Sequence, residues 1–194
     1  MLEKELQAPI FEAEDIFDRH INLNDYRDKK LLIGFFRHAG CPFCNLRVHT
    51  LTKIHQELKE QGLEMIFFFE SPKHILLRST FHKEVSPIPL IADPEKEWYK
   101  AYGIENSGYK SAMSHITTFV QTALKAKSEG VPMHPMAAGE SIKTMPAEFL
   151  VDKGLVIKKV HYSDRLVNRL DVSEIKDFAY GNQSKDFEKV PLTS

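Results

Sequence analysis

Cysteine is scarce in this sequence: its 194 residues include only two, Cys41 and Cys44, along with a single tryptophan and nine glycines. A chain of this length buries roughly two-thirds or more of the surface that its unfolded form exposes, so it folds without disulfide bonds or structural metal ions. The scarcity therefore excludes a small disulfide-stapled domain, and it leaves both cysteines free for chemistry.

An excess of charge of either sign is also lacking. The chain has 26 Lys+Arg against 27 Asp+Glu, a formal net charge of -1. Binding to nucleic acid or to an anionic membrane requires a basic excess or a basic stripe that neutralises phosphates. We therefore expect neither nucleic acid nor a membrane among the partners.

Long apolar runs are absent as well. The longest, Met65–Phe69, is far shorter than the roughly 20 residues of a membrane-spanning helix. Residues Met1–Phe17 carry acidic side chains where a secretion signal needs a basic start and an apolar stretch. We expect a cytoplasmic protein, and in that reducing compartment a cysteine pair is more often catalytic or metal-binding than structural.

Two short apolar runs, Leu31–Phe36 and Leu63–Phe69, predict the centre of a sheet. They are rich in Ile and Phe, which is typical of strands covered on both faces. Between them apolar residues recur at three- and four-residue steps and Gly62 follows, which predicts an amphipathic helix. These apolar residues are Val48, Leu51, Ile54 and Leu58. The unit is a right-handed βαβ crossover with parallel strands.

The rest of the chain continues the α/β alternation. The predicted elements are helices over 74–81 and 94–102, a longer helix through Met113–Leu124, strands over 88–92, 146–152 and 155–162, and a last helix capped by Asp171 or Ser173. The long loop Gly130–Thr144 contains two prolines, and loops of this length tend to be functional or mobile. We expect one α/β domain over residues 1–180, followed by a polar, flexible tail over 181–194.

The motif Cys41-Pro-Phe-Cys44 lies at the junction of the first predicted strand and its helix. Residues three apart at a helix start share a face, close enough for a disulfide with modest adjustment. The free N–H groups and positive dipole end of the helix favour the Cys41 thiolate and lower its pKa from about 8.5 towards 7. Cys44, one turn further, is predicted to be less exposed and to act as the resolving thiol.

Two other interpretations of the pair stay open. Both cysteines could be small buried hydrophobic residues. Alternatively they could form half of a zinc site, whose other ligands would have to be histidines such as His38, His49 or His55, because the chain has no further cysteine.

Four segments carry the motifs of a known family. They are Ala8–Phe11 (A-P-x-F), Lys29–Cys44 (a strand and redox-active loop), Ala92–Ile104 (D-P, then Y-G) and Met145–Gly154 (P-x-x-F-L-I-D-x-x-G). Over residues 8–180 the chain resembles the peroxiredoxin-like proteins of the alkyl hydroperoxide reductase/thiol-specific antioxidant (AhpC/TSA) family, in the thioredoxin superfamily. The resemblance implies an α/β, thioredoxin-like fold: a central mixed sheet flanked by helices, an N-terminal extension, and an inserted helix and loop before the strand that a cis proline opens. By the resemblance, Pro146 is that cis proline.

Some positions depart from the family's pattern. Peroxiredoxins carry P-x-x-x-T-x-x-C, but this chain has Gly34 in the proline position and His38 in the threonine position. They also carry an arginine where this chain has Pro146. C-x-x-C with a cis proline is the pattern of thioredoxins, of glutaredoxins, whose C-P-[YF]-C the motif matches, and of the peroxiredoxin-like subgroup.

The sequence predicts a thiol oxidoreductase, a peroxiredoxin-like antioxidant that reduces peroxides through Cys41 and Cys44. Its expected partners are a peroxide or disulfide substrate and an external thiol reductant of the thioredoxin or glutathione system; no cofactor or metal is expected, and the resemblance leaves a homodimer open. A disulfide reductase without peroxidase activity is the first alternative. The second is a non-enzymatic module that binds a partner through its surface or through the loop Gly130–Thr144.

Three polar residues are candidates for supporting roles. Arg37 and His38 precede the cysteine loop and could stabilise the Cys41 thiolate or donate to a leaving oxygen; otherwise they face solvent. Glu148 lies two residues after Pro146, on the same strand face, and could accept the Cys44 proton as a general base. The alternative is an exposed glutamate on an edge strand. His134, in the long loop, has no assigned role.

Overall fold

The structure of the protein is a computed structural model, and it describes residues 1–78, 80–85, 87–104, 120–131, 133, 140–141 and 143–181. The strands in chain order are β1 (Glu12–Glu14), β2 (His20–Asn22), β3 (Lys30–Phe36), β4 (Leu63–Phe69), β5 (Leu90–Ala92), β6 (Ala147–Asp152) and β7 (Val156–Tyr162). β1 and β2 pair with each other, and the other five form one mixed sheet in the order β5-β4-β3-β6-β7.

The predicted βαβ unit is confirmed. β3 and β4 are parallel neighbours, with Ile33 opposite Ile66, and both strands are buried except for Lys30 and Glu64. β5 extends the parallel part of the sheet. β6 runs antiparallel between β3 and β7 and places Glu148 opposite Gly34, so it is an interior strand.

The described part of the chain contains six α-helices, and two short 3-10 helices at Leu23–Tyr26 and Lys153–Leu155. The α-helices are α1 (Pro42–Glu60), α2 (Lys73–Leu76), α3 (Thr80–Glu84), α4 (Glu97–Ala101), α5 (residues 120–128) and α6 (Val172–Tyr180). Gly62 follows α1 with φ +78°, a left-handed conformation that glycine adopts without strain. The single helix predicted over 74–81 is divided into α2 and α3, because the Arg78 N–H bonds to the Ile75 carbonyl and closes α2 with a tight turn.

The predicted strand over 88–92 and the predicted helix over 94–102 are both present but shorter than expected. The strand over 88–92 is β5, and the helix over 94–102 is α4, where the Asp93 carboxylate accepts from the Glu97 and Trp98 N–H groups. Asp171 caps α6 by accepting from the Ser173 N–H at 2.8 Å. The first part of the helix predicted through Met113–Leu124, most of the loop Gly130–Thr144 with His134, and tail residues 182–194 lie outside the described residues.

The sheet separates two hydrophobic clusters. One face packs against α1 and α6, and its cluster includes Cys41, Cys44 and Val48. The opposite face is rich in aromatic side chains, with Phe35 stacked on Phe68 at a centroid distance of 4.6 Å. The cysteine pair therefore belongs to the core beneath α1. Among the described residues, no helix combines the length and apolar character that crossing a membrane requires.

Candidate active site around the cysteine pair

Cys41 and Cys44 lie where β3 gives way to α1. The Cys41 N–H donates to the His38 carbonyl at 3.0 Å, and the Asn45 N–H donates to the Cys41 carbonyl at 3.0 Å, so a tight turn leads directly into the first helical turn. Both cysteines are free thiols. Cys41 is 1% exposed and Cys44 is fully buried. The predicted strand-to-helix placement of the pair is confirmed.

The Cys41 sulfur is stabilised as a thiolate. Burial by itself raises the pKa of this thiol, but a hydrogen bond from the Cys44 thiol and the positive charge of Arg37 outweigh burial and lower the pKa to about 6. The Cys44 backbone N–H, in the first turn of α1, acts in the same direction. At neutral pH most Cys41 sulfurs are therefore ionised and nucleophilic.

Arg37 lies within the core rather than at the surface. Its side chain is fully buried, its Nη1 lies 3.9 Å from the Cys41 sulfur, and its backbone N–H donates to the Cys44 sulfur at 3.4 Å. An arginine keeps its proton at any relevant pH, and a buried cation requires a compensating negative charge. The solvent-facing alternative for Arg37 is wrong, and the Cys41 thiolate is a partner for its charge.

Cys44 differs from Cys41 in its protonation. Burial and the neighbouring Cys41 raise the pKa of Cys44 well above its ordinary value, so this thiol keeps its proton while Cys41 is ionised. Arg169, in the segment between β7 and α6, places Nη2 3.9 Å from the Cys44 sulfur. Sequence reasoning missed Arg169 because it lies 125 residues away from Cys44 in the chain and belongs to no local pattern around the motif.

His38 is directed towards a carboxylate. It is 7% exposed, so it does not face solvent, and its Nδ1 lies 3.8 Å from Oε2 of Glu140. The Ser71 hydroxyl donates to Glu140 and accepts from the Ala39 N–H at 2.7 Å. Ser71, two residues after β4, thus connects the cysteine loop to Glu140.

A second buried carboxylate, Glu70, ties the segment before β6 to the end of β4. It is 1% exposed, and its Oε2 lies 2.8 Å from the Lys96 ammonium and accepts from the Thr144 hydroxyl at 2.6 Å. Its Oε1 accepts from the Ser141 N–H at 3.0 Å. Neither Glu70 nor Glu140 stood out in the sequence, since each has a hydrogen-bond partner that is distant in the chain: Ser141 lies 71 residues from Glu70 and Ser71 lies 69 residues from Glu140.

The expectation that Pro146 is cis is wrong: no peptide bond in the described part of the chain is cis, and that part includes the bond before Pro146. The trans form is favoured before proline by about 0.5–1 kcal/mol. Pro146 does directly precede β6, as expected of a residue that cannot donate to the strand ladder. Its carbonyl accepts from the Ser163 N–H at 3.0 Å.

Glu148 is fully buried on interior strand β6, so the exposed edge-strand alternative is wrong. Its carboxylate makes a two-pronged ion pair with Arg47 of α1, at 2.7 Å from Nε and 2.8 Å from Nη2. It also accepts from the Leu170 N–H at 3.0 Å. Three donors thus hold this carboxylate, and its role as a base for Cys44 stays a prediction.

Within the described residues, no group of three or more His, Cys, Asp and Glu side chains could hold a metal ion. Two histidines that a zinc site would have used lie further along α1 beside carboxylates. His49 is 3.1 Å from Glu129 and His55 is 3.9 Å from Glu64.

A surface groove of about 480 Å³ runs beside the start of α1. Its walls include Phe43 and Arg47 of α1, Lys125 of α5, and Leu166 and Arg169. Arg169 thus borders the groove and also contacts the Cys44 sulfur.

Three comparisons place the chain among known proteins. The model of the AhpC/TSA family matches residues 5–160. A protein named peroxiredoxin bcp from Haemophilus influenzae is 28% identical over 98 residues, which cover 50% of this chain and 63% of that protein. Thiol-disulfide oxidoreductase ResA from Bacillus cereus is 24% identical over 98 residues, covering 50% and 56%.

The alignments therefore span less than two-thirds of these two relatives. The solved structure of a yeast mitochondrial 1-Cys peroxiredoxin superposes with a TM-score of 0.65 at 15% identity, covering all of this chain and 83% of that one. This likeness confirms the thioredoxin-like fold that the sequence motifs implied.

Proposed function

The chain belongs to the AhpC/TSA family, and from that premise we propose that Cys41 and Cys44 form a redox-active dithiol that reduces peroxides. The observation that carries the proposal is the Cys41 sulfur itself, which the buried Arg37 and the Cys44 thiol stabilise as a thiolate. A buried thiol without such neighbours would stay protonated and unreactive.

The first step is attack of the Cys41 thiolate on a peroxide oxygen. An S–O bond forms, the O–O bond breaks, and the leaving oxygen takes a proton to become an alcohol or water, which leaves Cys41 as a sulfenic acid. Arg37, beside the reacting sulfur, is placed to stabilise the negative charge that moves to the leaving oxygen. The sulfur is oxidised and the peroxide is reduced.

In the second step Cys44 attacks the Cys41 sulfur. An S–S bond forms, the S–O bond breaks, and the hydroxyl group leaves as water after taking the proton released by Cys44. An external thiol reductant of the thioredoxin or glutathione system then reduces the disulfide in two exchange steps: two of its thiol groups are oxidised to a disulfide, and both cysteine thiols of the protein are restored. A reducing compartment such as the cytoplasm would supply that thiol.

The second candidate is a disulfide reductase, which the match to ResA and the C-P-F-C spacing favour. Here Cys41 attacks a substrate disulfide and releases one substrate thiol, and Cys44 then displaces the other. Both candidates use the same nucleophile, so the oxidant decides between them. A non-enzymatic binding module, by contrast, has no use for an activated thiolate.

The test follows thiol loss when the reduced protein meets hydrogen peroxide. We expect Cys41→Ser to abolish the fast reaction, and Cys44→Ser to keep it but to stop at a sulfenic acid that a dimedone probe captures. Thiol loss no faster than that of free cysteine would exclude the peroxidase. Reduction of insulin by the wild-type protein, but not by Cys41→Ser, would then support the disulfide reductase.

A further inference from the structure

Cys44 presents a difficulty for any mechanism that uses both thiols. It must lose its proton to attack, yet its side chain is fully buried and burial raises its pKa well above the ordinary value. Oxidation of Cys41 removes the neighbouring negative charge but does not change the burial. A cation close to Cys44, in addition to Arg37, would stabilise the Cys44 thiolate and so speed closure of the disulfide.

The two arginines at the site are divided between the two sulfurs. Arg37 acts more strongly than Arg169 on Cys41, whereas Arg169 acts more strongly than Arg37 on Cys44. The contacts agree with this division, since Arg37 Nη1 lies 3.9 Å from the Cys41 sulfur and Arg169 Nη2 lies 3.9 Å from the Cys44 sulfur.

The side chain of Arg169 is oriented by Ser163, whose hydroxyl accepts from Nη1 at 3.0 Å. Ser163 is itself fixed, because its N–H donates to the Pro146 carbonyl at 3.0 Å and its hydroxyl donates to the Asn168 carbonyl at 2.7 Å. The Nε of Arg169 is buried and donates to none of the described residues. Ser163 thus holds Nη1, while Nη2 is the nitrogen that contacts the Cys44 sulfur.

The backbone that carries Arg169 is clamped by the Glu148–Arg47 ion pair. The next residue, Leu170, donates its N–H to Glu148 at 3.0 Å, and its carbonyl accepts from Arg47 Nη2 at 2.8 Å. Arg47 is 8% and Glu148 0% exposed in the side chain. Because Arg47 lies three residues after Cys44 on α1, the clamp and the thiol share one helix face.

We propose that Arg169 stabilises the Cys44 thiolate during disulfide closure, and that the Glu148–Arg47 ion pair positions Arg169 for this role. The inference rests on the proposed dithiol function. In the closing step Cys44 gives its proton to solvent and attacks the Cys41 sulfur of a mixed disulfide; an S–S bond forms, the old S–S bond breaks, and the substrate leaves as a thiolate. Arg169 touches the attacking sulfur, and Glu148 acts through Arg169 as a positioning residue.

A dipyridyl disulfide measures this step whatever the natural oxidant is. Attack by Cys41 releases a first pyridinethione, and attack by Cys44 on the resulting mixed disulfide releases a second, so stopped-flow absorbance separates the two rates. We expect Arg169→Gln to slow the second release about tenfold at pH 7, as a pKa higher by about one unit requires. The first release should change less than threefold, and Arg169→Lys should restore much of the second rate.

The control is Arg165→Gln, which removes an exposed arginine from the same segment and should leave both rates unchanged. Glu148→Gln should slow the second release while Arg169 is still present. The pH profile of the second release should move to higher pH in Arg169→Gln, which a purely structural loss would not produce. A second release in Arg169→Gln within twofold of the control, or an equal slowing of both releases without a pH shift, would overturn the proposal. If the protein closes its disulfide as expected but reacts with neither peroxide nor insulin, the result would contradict the proposed function and leave the role of Arg169 supported.

Discussion

The guanidinium of Arg37 lies 3.9 Å from the sulfur of Cys41, and both groups are shielded from solvent. In such a low-dielectric setting a charge pair interacts far more strongly than it does in water. Arg37 cannot lose its proton, so the burial of its charge favours the ionised form of Cys41. The thiolate form of Cys41 is thus favoured in the reduced protein before any substrate binds.

Replacing Arg37 with glutamine should therefore raise the pKa of Cys41 and make the thiol less reactive. We expect alkylation of Cys41 by iodoacetamide at pH 7 to slow several-fold, with the midpoint of the rate-against-pH curve moved upwards. Arg78→Gln, which removes an exposed arginine, is the matched control. An unchanged midpoint in Arg37→Gln would show that Arg37 does not stabilise the thiolate.

The stability of the reduced protein should depend on pH through the same group. The folded-state pKa of Cys41 is about 6, below the value of about 8.5 in an unfolded chain. Between these values the unfolded state binds more protons, so the free energy of unfolding rises with pH by at most about 1.4 kcal/mol per pH unit. This contribution of Cys41 to stability is lost as the pH falls through 6. Above about 8.5 the raised pKa of Cys44 reverses the trend. Urea unfolding of the wild type minus that of Cys41→Ser should show the rising limb, and a flat difference would contradict it.

Breaking the Glu148–Arg47 pair should destabilise the fold. Glu148→Leu leaves the buried guanidinium of Arg47 without its carboxylate partner, and such a loss costs about 3–5 kcal/mol. The double variant Glu148→Leu/Arg47→Met removes both charges and should recover much of that cost. Urea unfolding of Glu148→Leu, Arg47→Met and the double variant measures the coupling free energy between the two side chains. Additive losses in the double variant would mean that the pair contributes nothing as a pair.

Gly34 should not tolerate a side chain. A Cβ at this position would come within 2.9 Å of Phe36 Cε2 and 3.2 Å of Phe67 Cδ1, in a region where both rings are buried. We expect Gly34→Ala to lower the free energy of unfolding by about 1–3 kcal/mol through overpacking. The Phe67→Leu background, which removes one of the two rings, should reduce the penalty. An equal penalty in both backgrounds would exclude the Phe67 ring as its cause and leave the closer Phe36 ring or the backbone.

Local patterns were sufficient to predict the centre of the fold and the position of the cysteines. Two apolar runs predict β3 and β4, and the three- and four-residue spacing of apolar residues predicts α1. The C-x-x-C motif lies at the junction of β3 and α1. The groups that tune the sulfurs could not be predicted in this way. In the sheet, β6 lies between β3 and β7. This arrangement brings Arg169, which follows β7 in the chain, next to Cys44 at the start of α1.

Glu148 shows the same limit. Its place on a strand was predicted, but its burial depends on β7 covering the far edge of β6, and its partner Arg47 lies 101 residues away in the chain. The trans peptide before Pro146 departs from the implication of the family motif, because a short motif does not determine the isomer of one bond. Elements set by neighbouring residues were therefore predicted, whereas contacts between residues distant in the chain, such as Glu148 with Arg47, were not.

The most direct test of the central claim is the pH dependence of the reaction of reduced Cys41 with hydrogen peroxide, followed by mass spectrometry of the modified cysteine. An activated thiolate predicts a rate that rises with a midpoint near pH 6 and is level by pH 8. A midpoint near the ordinary cysteine value of about 8.5, or modification at Cys44 instead of Cys41, would contradict the account.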